Sequence, residues 1–196
     1  MEALLGIFSA FGLSASAGLN AYIPLLVVAL MARFTPYIKL NPPYDVLTNW
    51  WIIGLLFVLT TIEFVVDKIP AVHHINDFVI QTFVRPIAGA IVFAASTNVI
   101  SDVHPVLALS LGLIMAGSVH AVKSVAIRPA VGIATAGAGN IPVSVAEDVT
   151  STTLSILSIM VPVAVTIFVV LFFTWIFWYL FLRTPAEPGS KQDREY

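Results

Sequence analysis

The sequence predicts an all-α integral membrane protein with about five to six transmembrane or re-entrant helices. Of its 196 residues, 59% are hydrophobic and only 10% are charged, whereas about a quarter of the residues in soluble domains are charged. The mean hydropathy is +0.97. We expect one transmembrane domain over residues 1–183 and a short solvated tail over 184–196, whose prolines and mixed charges cannot form a core.

Six charge-free windows carry the predicted helices, because a helix needs about 20 apolar residues to cross about 30 Å of hydrocarbon. The windows cover residues 3–32, 46–62, 86–101, 103–122, 129–146 and 149–182. The first and last are long enough to span a membrane outright. Trp50-Trp51 and the aromatic stretch over 175–183 are typical of membrane interfaces. No signal peptide is expected, since no positive residue precedes the first apolar run.

The third and fourth windows are separated by Asp102-Val-His104-Pro105, a turn signal that predicts a hairpin of two helices. The fifth window is rich in Gly, Ala, Ser and Pro, which pack closely but cover a lipid-facing surface poorly. It is predicted to be a broken or re-entrant segment. Whether it spans the membrane stays open.

Two apolar stretches, residues 14–24 and 135–142, share the order small residues, Gly, Asn, Pro. Gly lowers helix propensity, Pro removes a backbone donor, and Asn can bond the freed backbone groups. The predicted helix breaks lie at Gly18, Pro24, Gly137, Gly139 and Pro142. The alternative is that the small residues only allow close helix packing.

A second pair of similar motifs is Arg85-Pro86 and Arg128-Pro129, each with a Gly three residues beyond the Pro. Pro is tolerated in the first turn of a helix, so each motif is expected to open a helix with its Arg at the start. Paired, Gly-interrupted segments are typical of transporter sites built from discontinuous helices. The motifs occur in opposite order in the two halves, so the internal pseudo-repeat that they suggest is not a simple tandem one.

Ionisable side chains among apolar windows are costly in a membrane and mark functional sites. Glu63 and Asp67 are four residues apart and share a helical face, and His120 lies three residues before Lys123. The residues predicted to bind substrate are Asn20, Glu63, Asp67, Lys68, Arg85, His120, Lys123, Arg128, Asn140, Glu147 and Asp148. The alternative is that some of them, above all Lys68 and the Glu147-Asp148 pair, snorkel to the interface.

Several function classes are disfavoured by composition and motifs. Nine Lys and Arg against eleven Asp and Glu give a formal charge of −2, which leaves no basic surface for a nucleic acid. The absence of cysteine excludes thiolate metal sites and Cys nucleophiles. No catalytic or dinucleotide motif is present, so we expect no enzyme and no cofactor, with acid–base chemistry by Asp67, His120 and Glu147 as a less favoured alternative. The adjacent His73-His74 lacks a Glu-x-x-His pattern and is not expected to bind metal.

Five motifs together carry a family resemblance. They are Ser16-Ala-Gly18-Leu-Asn20-Ala-Tyr22-Ile-Pro24, Glu63-Phe-Val-Val-Asp67-Lys68-Ile-Pro70, Val84-Arg85-Pro86-Ile-Ala-Gly89-Ala, Gly117-Ser-Val-His120-Ala-Val-Lys123 with Arg128, and Asn140-Ile-Pro142-Val-Ser144-Val-Ala-Glu147-Asp148. With these motifs the chain resembles the bacterial membrane family Domain of Unknown Function 4126 over residues 5–180. The resemblance implies a small integral protein of the cell membrane and no established activity.

The leading hypothesis is a small transporter or channel-like permease with a polar cavity that binds an anionic solute and couples its passage to protons or cations. Two alternatives stay open: a lipid-binding or lipid-translocating protein that recognises an anionic headgroup, and a structural subunit of a membrane complex. Membrane lipids and further copies of the chain are the expected partners, because 21.1 kDa is small for alternating access.

The positions of Lys and Arg predict how the chain is oriented in the membrane. Arg33 and Lys39 in the first loop, together with the cations of the tail, place both segments on the cytoplasmic side by the positive-inside rule. We therefore expect an external N-terminus, a cytoplasmic C-terminus and about five crossings of the inner cell membrane.

Overall fold

The fold is known from a computed structural model that describes residues 2–36, 38–68, 81–97 and 103–179. These ranges contain helices and turns and no β-strand, which confirms the all-α prediction. The helices are α1 Glu2–Leu19, α2 Tyr22–Phe34, α3 Trp50–Val66, α4 Gln81–Thr97, α5 Pro105–Val122, α6 Arg128–Ala134, α7 Asn140–Met160 and α8 Pro162–Phe177. His73, His74, Asp102 and the tail over 184–196 lie outside the described residues.

Helix α1 lies at the centre of the bundle and packs against α4, α5, α7 and α8. Its buried side includes Leu13 and Ala17, which have no solvent exposure. A Cβ atom added to Gly18 would lie 2.5 Å from the Cβ of Val119 in α5. Small residues therefore let the backbones of α1 and α5 approach closely.

The two helices predicted to form a hairpin, α4 and α5, pack against each other. Gly89 and Gly112 face each other so closely that a Cβ atom on either would meet the carbonyl oxygen of the other. The prediction that Arg85-Pro86 opens its helix is wrong, because Pro86 lies inside α4 and a full turn precedes Arg85. This extra turn places Arg85 inside the bundle, where it pairs with carboxylates of α3.

The first break falls between α1 and α2, inside the predicted stretch 14–24. The side-chain oxygen of Asn20 accepts hydrogen bonds from the backbone N–H groups of Tyr22 (3.2 Å) and Ile23 (3.1 Å). Such a side chain satisfies donors that the start of a helix leaves open. Pro24 is the third residue of α2, where its missing donor costs no intrahelical bond.

The second break separates α6 from α7 at residues 135–139. Ala136 (φ 50°) and Gly137 (φ 87°) adopt left-handed backbone conformations. The hydroxyl of Thr135 accepts a hydrogen bond from the N–H of Gly139 at 2.8 Å. The window over 129–146 is therefore two helical segments joined by a tight turn. The prediction that Arg128-Pro129 opens a helix is wrong, because Arg128 and Pro129 lie within a helical run that is continuous from Pro105 to Ala134.

Helix α5 continues into α6 through a π-helical turn over Lys123–Ile127. The resulting run, Pro105–Ala134, has 30 residues and is the single helix in the described ranges that is both long and apolar enough to cross a membrane. Shorter apolar helices cover Gly6–Leu19, Tyr22–Phe34, Trp50–Val66 and Ile167–Phe177.

In this bundle charged side chains lie inside and large apolar side chains lie on the surface, the reverse of the arrangement in water-soluble proteins. From residue 46 to 179, each described charged side chain is buried or half-buried. The exposed faces of the same helices carry large apolar residues, among them Trp51, Phe83 and Leu171. The charged side chains that are clearly exposed in the described ranges lie at or near the connection between α2 and α3. They are Arg33, Lys39 and Asp45.

Candidate functional site

Ten of the eleven predicted binding residues lie together where several helices begin or end. We call this group the charge network; it comprises Asn20, Glu63, Asp67, Lys68, Arg85, His120, Lys123, Arg128, Glu147 and Asp148. Seven of them are linked by side-chain contacts and form the larger group: Glu63, Asp67, Arg85, His120, Lys123, Arg128 and Glu147. The other three, Asn20, Lys68 and Asp148, form a smaller group beside them. The exception is Asn140, which begins α7 about two turns before Glu147, with its side-chain oxygen near Gly132.

Asp67 lies between two arginines that come from different helices. Its Oδ2 atom is 3.4 Å from Nη2 of Arg85 in α4 and 3.5 Å from Nη2 of Arg128 in α6. Arg85 also pairs with Glu63 at 3.1 Å, one turn before Asp67. The side chains of Arg85 and Glu63 are 0% exposed and that of Asp67 is 2% exposed, so these pairs are shielded from solvent.

Glu147 occupies a similar position between two cations. Its Oε2 atom lies 3.0 Å from Nζ of Lys123 and also pairs with Nη2 of Arg128. Its Oε1 atom accepts from Nε of Arg128 at 3.2 Å. This two-pronged contact with Arg128 is the geometry in which guanidinium binds carboxylate most specifically. Arg128 therefore joins Glu147 to Asp67.

The break between α1 and α2 is held by charges of the network. The ammonium of Lys123 donates a hydrogen bond to the carbonyl of Leu19, the last residue of α1, at 3.0 Å. The carboxylate of Glu63 accepts from the N–H of Ala21, just before α2, at 3.2 Å. A cation at a helix C-terminus and an anion at an N-terminus both match the helix dipole. The network and the helix break thus form one structure.

The smaller group of the network surrounds Asp148. Lys68 Nζ lies 3.0 Å from Oδ2 of Asp148, and Asn20 Nδ2 donates to Oδ1 at 3.0 Å. Two of its members are chain neighbours of residues in the larger group: Lys68 follows Asp67, and Asp148 follows Glu147.

His120 approaches the network from α5, with its Nδ1 atom 3.2 Å from Nη1 of Arg85. Because a guanidinium can only donate hydrogen bonds, Nδ1 must accept, and the ring is neutral with its proton on Nε2. His120 therefore adds no charge to the network.

The network is balanced in charge. Four carboxylates face four cations, and −4 + 4 gives zero; these groups are Glu63, Asp67, Glu147, Asp148, Lys68, Arg85, Lys123 and Arg128. Burying an unpaired charge is expensive, and close pairing offsets that cost. A further ion that enters the network, or a charge that leaves it, must therefore be compensated.

A serine cluster between α1 and α7 was missed by the sequence reasoning. Ser16 Oγ lies 2.8 Å from Ser151 Oγ and 2.6 Å from Ser155 Oγ, and all three residues are fully buried. The spacing of serines and acidic residues along α7, every three or four positions from Ser144 to Ser158, is the signal that could have identified this polar face.

The described residues contain no group of three or more His, Cys, Asp or Glu side chains placed to hold a metal ion. The acidic side chains of the network instead contact Arg and Lys. His73 and His74 lie outside the described residues.

Residues 7–181 match a family model, and this stretch contains the whole charge network. The chain belongs to the family described as Domain of unknown function (DUF4126). This confirms the resemblance that the five motifs carry. No curated protein and no solved structure matches the chain. Membership of this family assigns no activity, so the function has to be argued from the charge network.

Proposed function

We propose that this DUF4126 protein is an integral membrane permease whose charge network binds a small anionic solute and couples its passage to protons. The observation that carries the proposal is the position of the Asp67 carboxylate between Arg85 and Arg128. A carboxylate oxygen between two guanidinium groups occupies the place where an anion would bind, since guanidinium matches oxyanions in charge and geometry.

The helix breaks around this position support transport rather than a purely structural role. Discontinuous helices whose ends contact charged groups recur at transporter binding sites, where they place helix dipoles beside the solute. Here Glu63 and Lys123 contact the two ends of the α1–α2 break. Glu63 pairs directly with Arg85, and Lys123 is linked to Arg128 through Glu147.

The distribution of residues supports a location in the cell membrane. In the most apolar part of the 105–134 run, the mean hydropathy is 1.8, and only 22% of that window is buried inside the bundle. Large apolar surfaces exposed to water promote aggregation, whereas they match a lipid environment. Ionisable side chains turned inward and paired are the arrangement that lipid requires.

Vesicle transport tests the proposal. Purified protein is reconstituted into vesicles that contain a pH-sensitive dye, and sodium nitrate, sodium lactate or sodium phosphate is added outside at pH 6. We expect protein-dependent acidification of the interior with at least one anion, and its loss in Arg85→Gln/Arg128→Gln. Lys39→Gln, which removes an exposed cation outside the network, is the matched control and should behave as wild type. Equal rates in wild type and the double variant with every anion would refute the proposal.

Native mass spectrometry of the same two proteins tests the lipid alternative, because arginines between helices can also hold a lipid phosphate. A phospholipid that is retained by wild type and absent from Arg85→Gln/Arg128→Gln would favour headgroup recognition over solute transport. A different protein that co-purifies in fixed ratio would favour a structural subunit. The same spectra report the number of chains, which we propose to be more than one.

A further inference from the structure

We infer that Asp67 is an internal substitute for the transported anion. This inference rests on the proposed function and names its substrate class and its coupling. The Asp67 carboxylate occupies the two-arginine position until it takes up a proton. A small monovalent oxyanion, such as a monocarboxylate, then replaces it between Arg85 and Arg128, so that one proton accompanies each anion.

The distances around Asp67 suit an occupant that exchanges. Charge-assisted N–H···O bonds are usually about 2.7–2.9 Å long. The Asp67 contacts with Arg85 and Arg128 are 3.4 and 3.5 Å, longer than the 3.1 Å contact between Arg85 and Glu63. The Oδ2 atom of Asp67 thus lies between the Nη2 atoms of the two arginines at distances longer than that of the Arg85–Glu63 contact.

The other carboxylates of the larger group hold the fold at the same time. Glu63 accepts from the backbone N–H of Ala21 at the helix break, and Glu147 contacts Lys123 and forms the two-pronged pair with Arg128. Protonation of either would weaken these contacts. Protonation of Asp67 instead removes the negative charge between the arginines and leaves the contacts of Glu63 and Glu147 in place.

The charge balance of the larger group determines how many protons accompany each anion. The larger group contains three carboxylates and three cations, so it is neutral with Asp67 ionised. Arginine does not release its proton at accessible pH. An added monovalent anion would leave one excess negative charge in a buried site, and one proton on Asp67 cancels it. A divalent anion would not be balanced, which favours monovalent oxyanions.

The charged and titratable groups around Asp67 come from α3, α4, α5, the π-helical turn, α6 and α7. They are Glu63 on its own helix, Arg85 with His120 beside it, and Arg128 with Glu147 and Lys123 beside it. His120 accepts from Arg85 and is neutral, so it does not replace the proton on Asp67.

Chemical rescue tests the inference without any transport assay. Asp67→Ala removes the internal carboxylate and leaves the two arginines with space for a small anion. In detergent at pH 7.5, we expect sodium formate, but not sodium chloride at equal ionic strength, to raise the melting temperature of Asp67→Ala by several degrees. Wild type should be stabilised more by formate at pH 5 than at pH 7.5, because each anion that replaces Asp67 is accompanied by one proton and a bound ligand stabilises the folded state.

Three variants serve as comparisons. Asp45→Ala removes an exposed carboxylate and should show no formate effect. Asp67→Ala/Arg128→Gln should lose the rescue. If Asp67→Ala does not fold, Asp67→Asn removes the same charge with nearly the same shape and is measured in its place. The inference fails if the folded variant, Asp67→Ala or Asp67→Asn in its place, shows no formate-specific rise in melting temperature. It also fails if formate raises the melting temperature of wild type equally at both pH values.

Voltage dependence separates this inference from the permease proposal. With the anion that drives acidification in vesicles, an imposed potential of 100 mV should leave the initial rate unchanged within twofold, while a pH gradient accelerates it. A step that moves one net charge across the membrane would change by up to about 40-fold. Rescue without any flux would overturn the permease and keep the anion site; voltage-dependent flux would overturn the one-to-one coupling and keep the permease.

Discussion

Lys68 and Lys123 form ion pairs of the same length in different surroundings. Each ammonium lies 3.0 Å from its carboxylate, Asp148 for Lys68 and Glu147 for Lys123. The side chain of Lys68 is 19% exposed, whereas that of Lys123 is 1% exposed and also bonds the Leu19 carbonyl. Partial exposure lets solvent screen one pair but not the other, so the two lysines should differ in what they contribute to stability.

We predict that Lys123→Ala lowers the free energy of unfolding by about 3 kcal/mol or more, because it leaves part of a buried carboxylate and a helix-end carbonyl unsatisfied. Lys68→Ala should cost about 1 kcal/mol or less. Thermal or denaturant unfolding of the two variants in the same detergent measures the difference. Lys39→Ala, at an exposed position, is the control for loss of a positive charge. Equal losses for Lys68→Ala and Lys123→Ala would show that burial does not set the strength of these pairs.

The residues of the network could be predicted from the sequence, but their pairing could not. Ionisable side chains in apolar windows are rare enough to stand out, and ten of the eleven selected lie together; their role in binding stays a prediction. Asn140 was selected for its resemblance to Asn20, yet it begins α7 away from the group. The pairing of Asp67 with Arg85 and Arg128 depends on how three helices pack, which no local pattern encodes.

At the scale of the elements, the π-helical turn decides where Arg128 points. On a regular α-helix, residues five apart are separated by about 140° around the axis, so Lys123 and Arg128 would face different directions. In the structure the N–H of Arg128 bonds the carbonyl of Lys123, five residues earlier, which brings the two residues to about one turn apart. Both side chains then reach Glu147. Sequence periodicity assumes 3.6 residues per turn and therefore could not predict this alignment.

A deletion and an insertion in this turn should differ in their effect on stability. Deleting Val125, which is 77% exposed, leaves Arg128 four residues after Lys123, on the same face of a regular α-helix. We expect this variant to keep the pairs with Glu147 and to melt within a few degrees of wild type. Inserting one alanine after Val125 makes the separation six residues, about 240° around the axis, and should destabilise the protein as much as Arg128→Gln does.

Melting temperatures in one detergent compare the deletion, the insertion and Arg128→Gln. The insertion combined with Arg128→Gln should be no less stable than the insertion alone, since the arginine has already left its partners. If the deletion and the insertion are equally damaging, the face on which Arg128 lies is not what the turn controls.

The predicted interruptions of the helices fall in the expected stretches, but their construction differs. In the first, the Asn20 side chain caps α2 and network charges contact both helix ends. In the second, left-handed residues and Thr135 close a turn. Gly, Asn and Pro predict where a helix weakens, whereas the groups that satisfy the open ends come from tertiary packing. The Arg-Pro motifs did not predict helix starts, because Pro86 lies inside α4 and Pro129 lies inside the continuous run Pro105–Ala134.

For the whole molecule, the all-α class followed directly from composition, because long apolar windows without charge favour helices that satisfy their own backbone. The number of spans stays a prediction. Hydropathy shows which windows are apolar, but α1, α2 and α3 are each shorter than a typical transmembrane span. Whether they cross the membrane therefore depends on how they join and pack against one another. The two motif pairs occur in opposite order in the two halves, so the internal pseudo-repeat likewise stays a prediction.

The connection between α2 and α3 should lie in the cytoplasm. Arg33 stacks over the ring of Trp50 at 5.0 Å, and Phe34 meets the same ring at 5.8 Å, an aromatic and cationic cluster typical of a membrane interface. Exposed Lys39 follows in the same connection, and the positive-inside rule places such loops on the cytoplasmic side. Because the chain has no cysteine, a single introduced one can be labelled without background.

We predict that Lys39→Cys reacts with a membrane-impermeant maleimide in inside-out vesicles only, and that Glu2→Cys reacts in right-side-out vesicles only. Detergent-solubilised samples of both variants control for intrinsic reactivity. Labelling of Lys39→Cys from the outside would reverse the orientation. Labelling of both from the same side would mean that α1 and α2 enter and leave through one face, so the break at Asn20 would be the tip of a re-entrant hairpin instead of an interruption within a span. The charge network at that break would then lie at the deepest point of the hairpin, within reach of one side of the membrane.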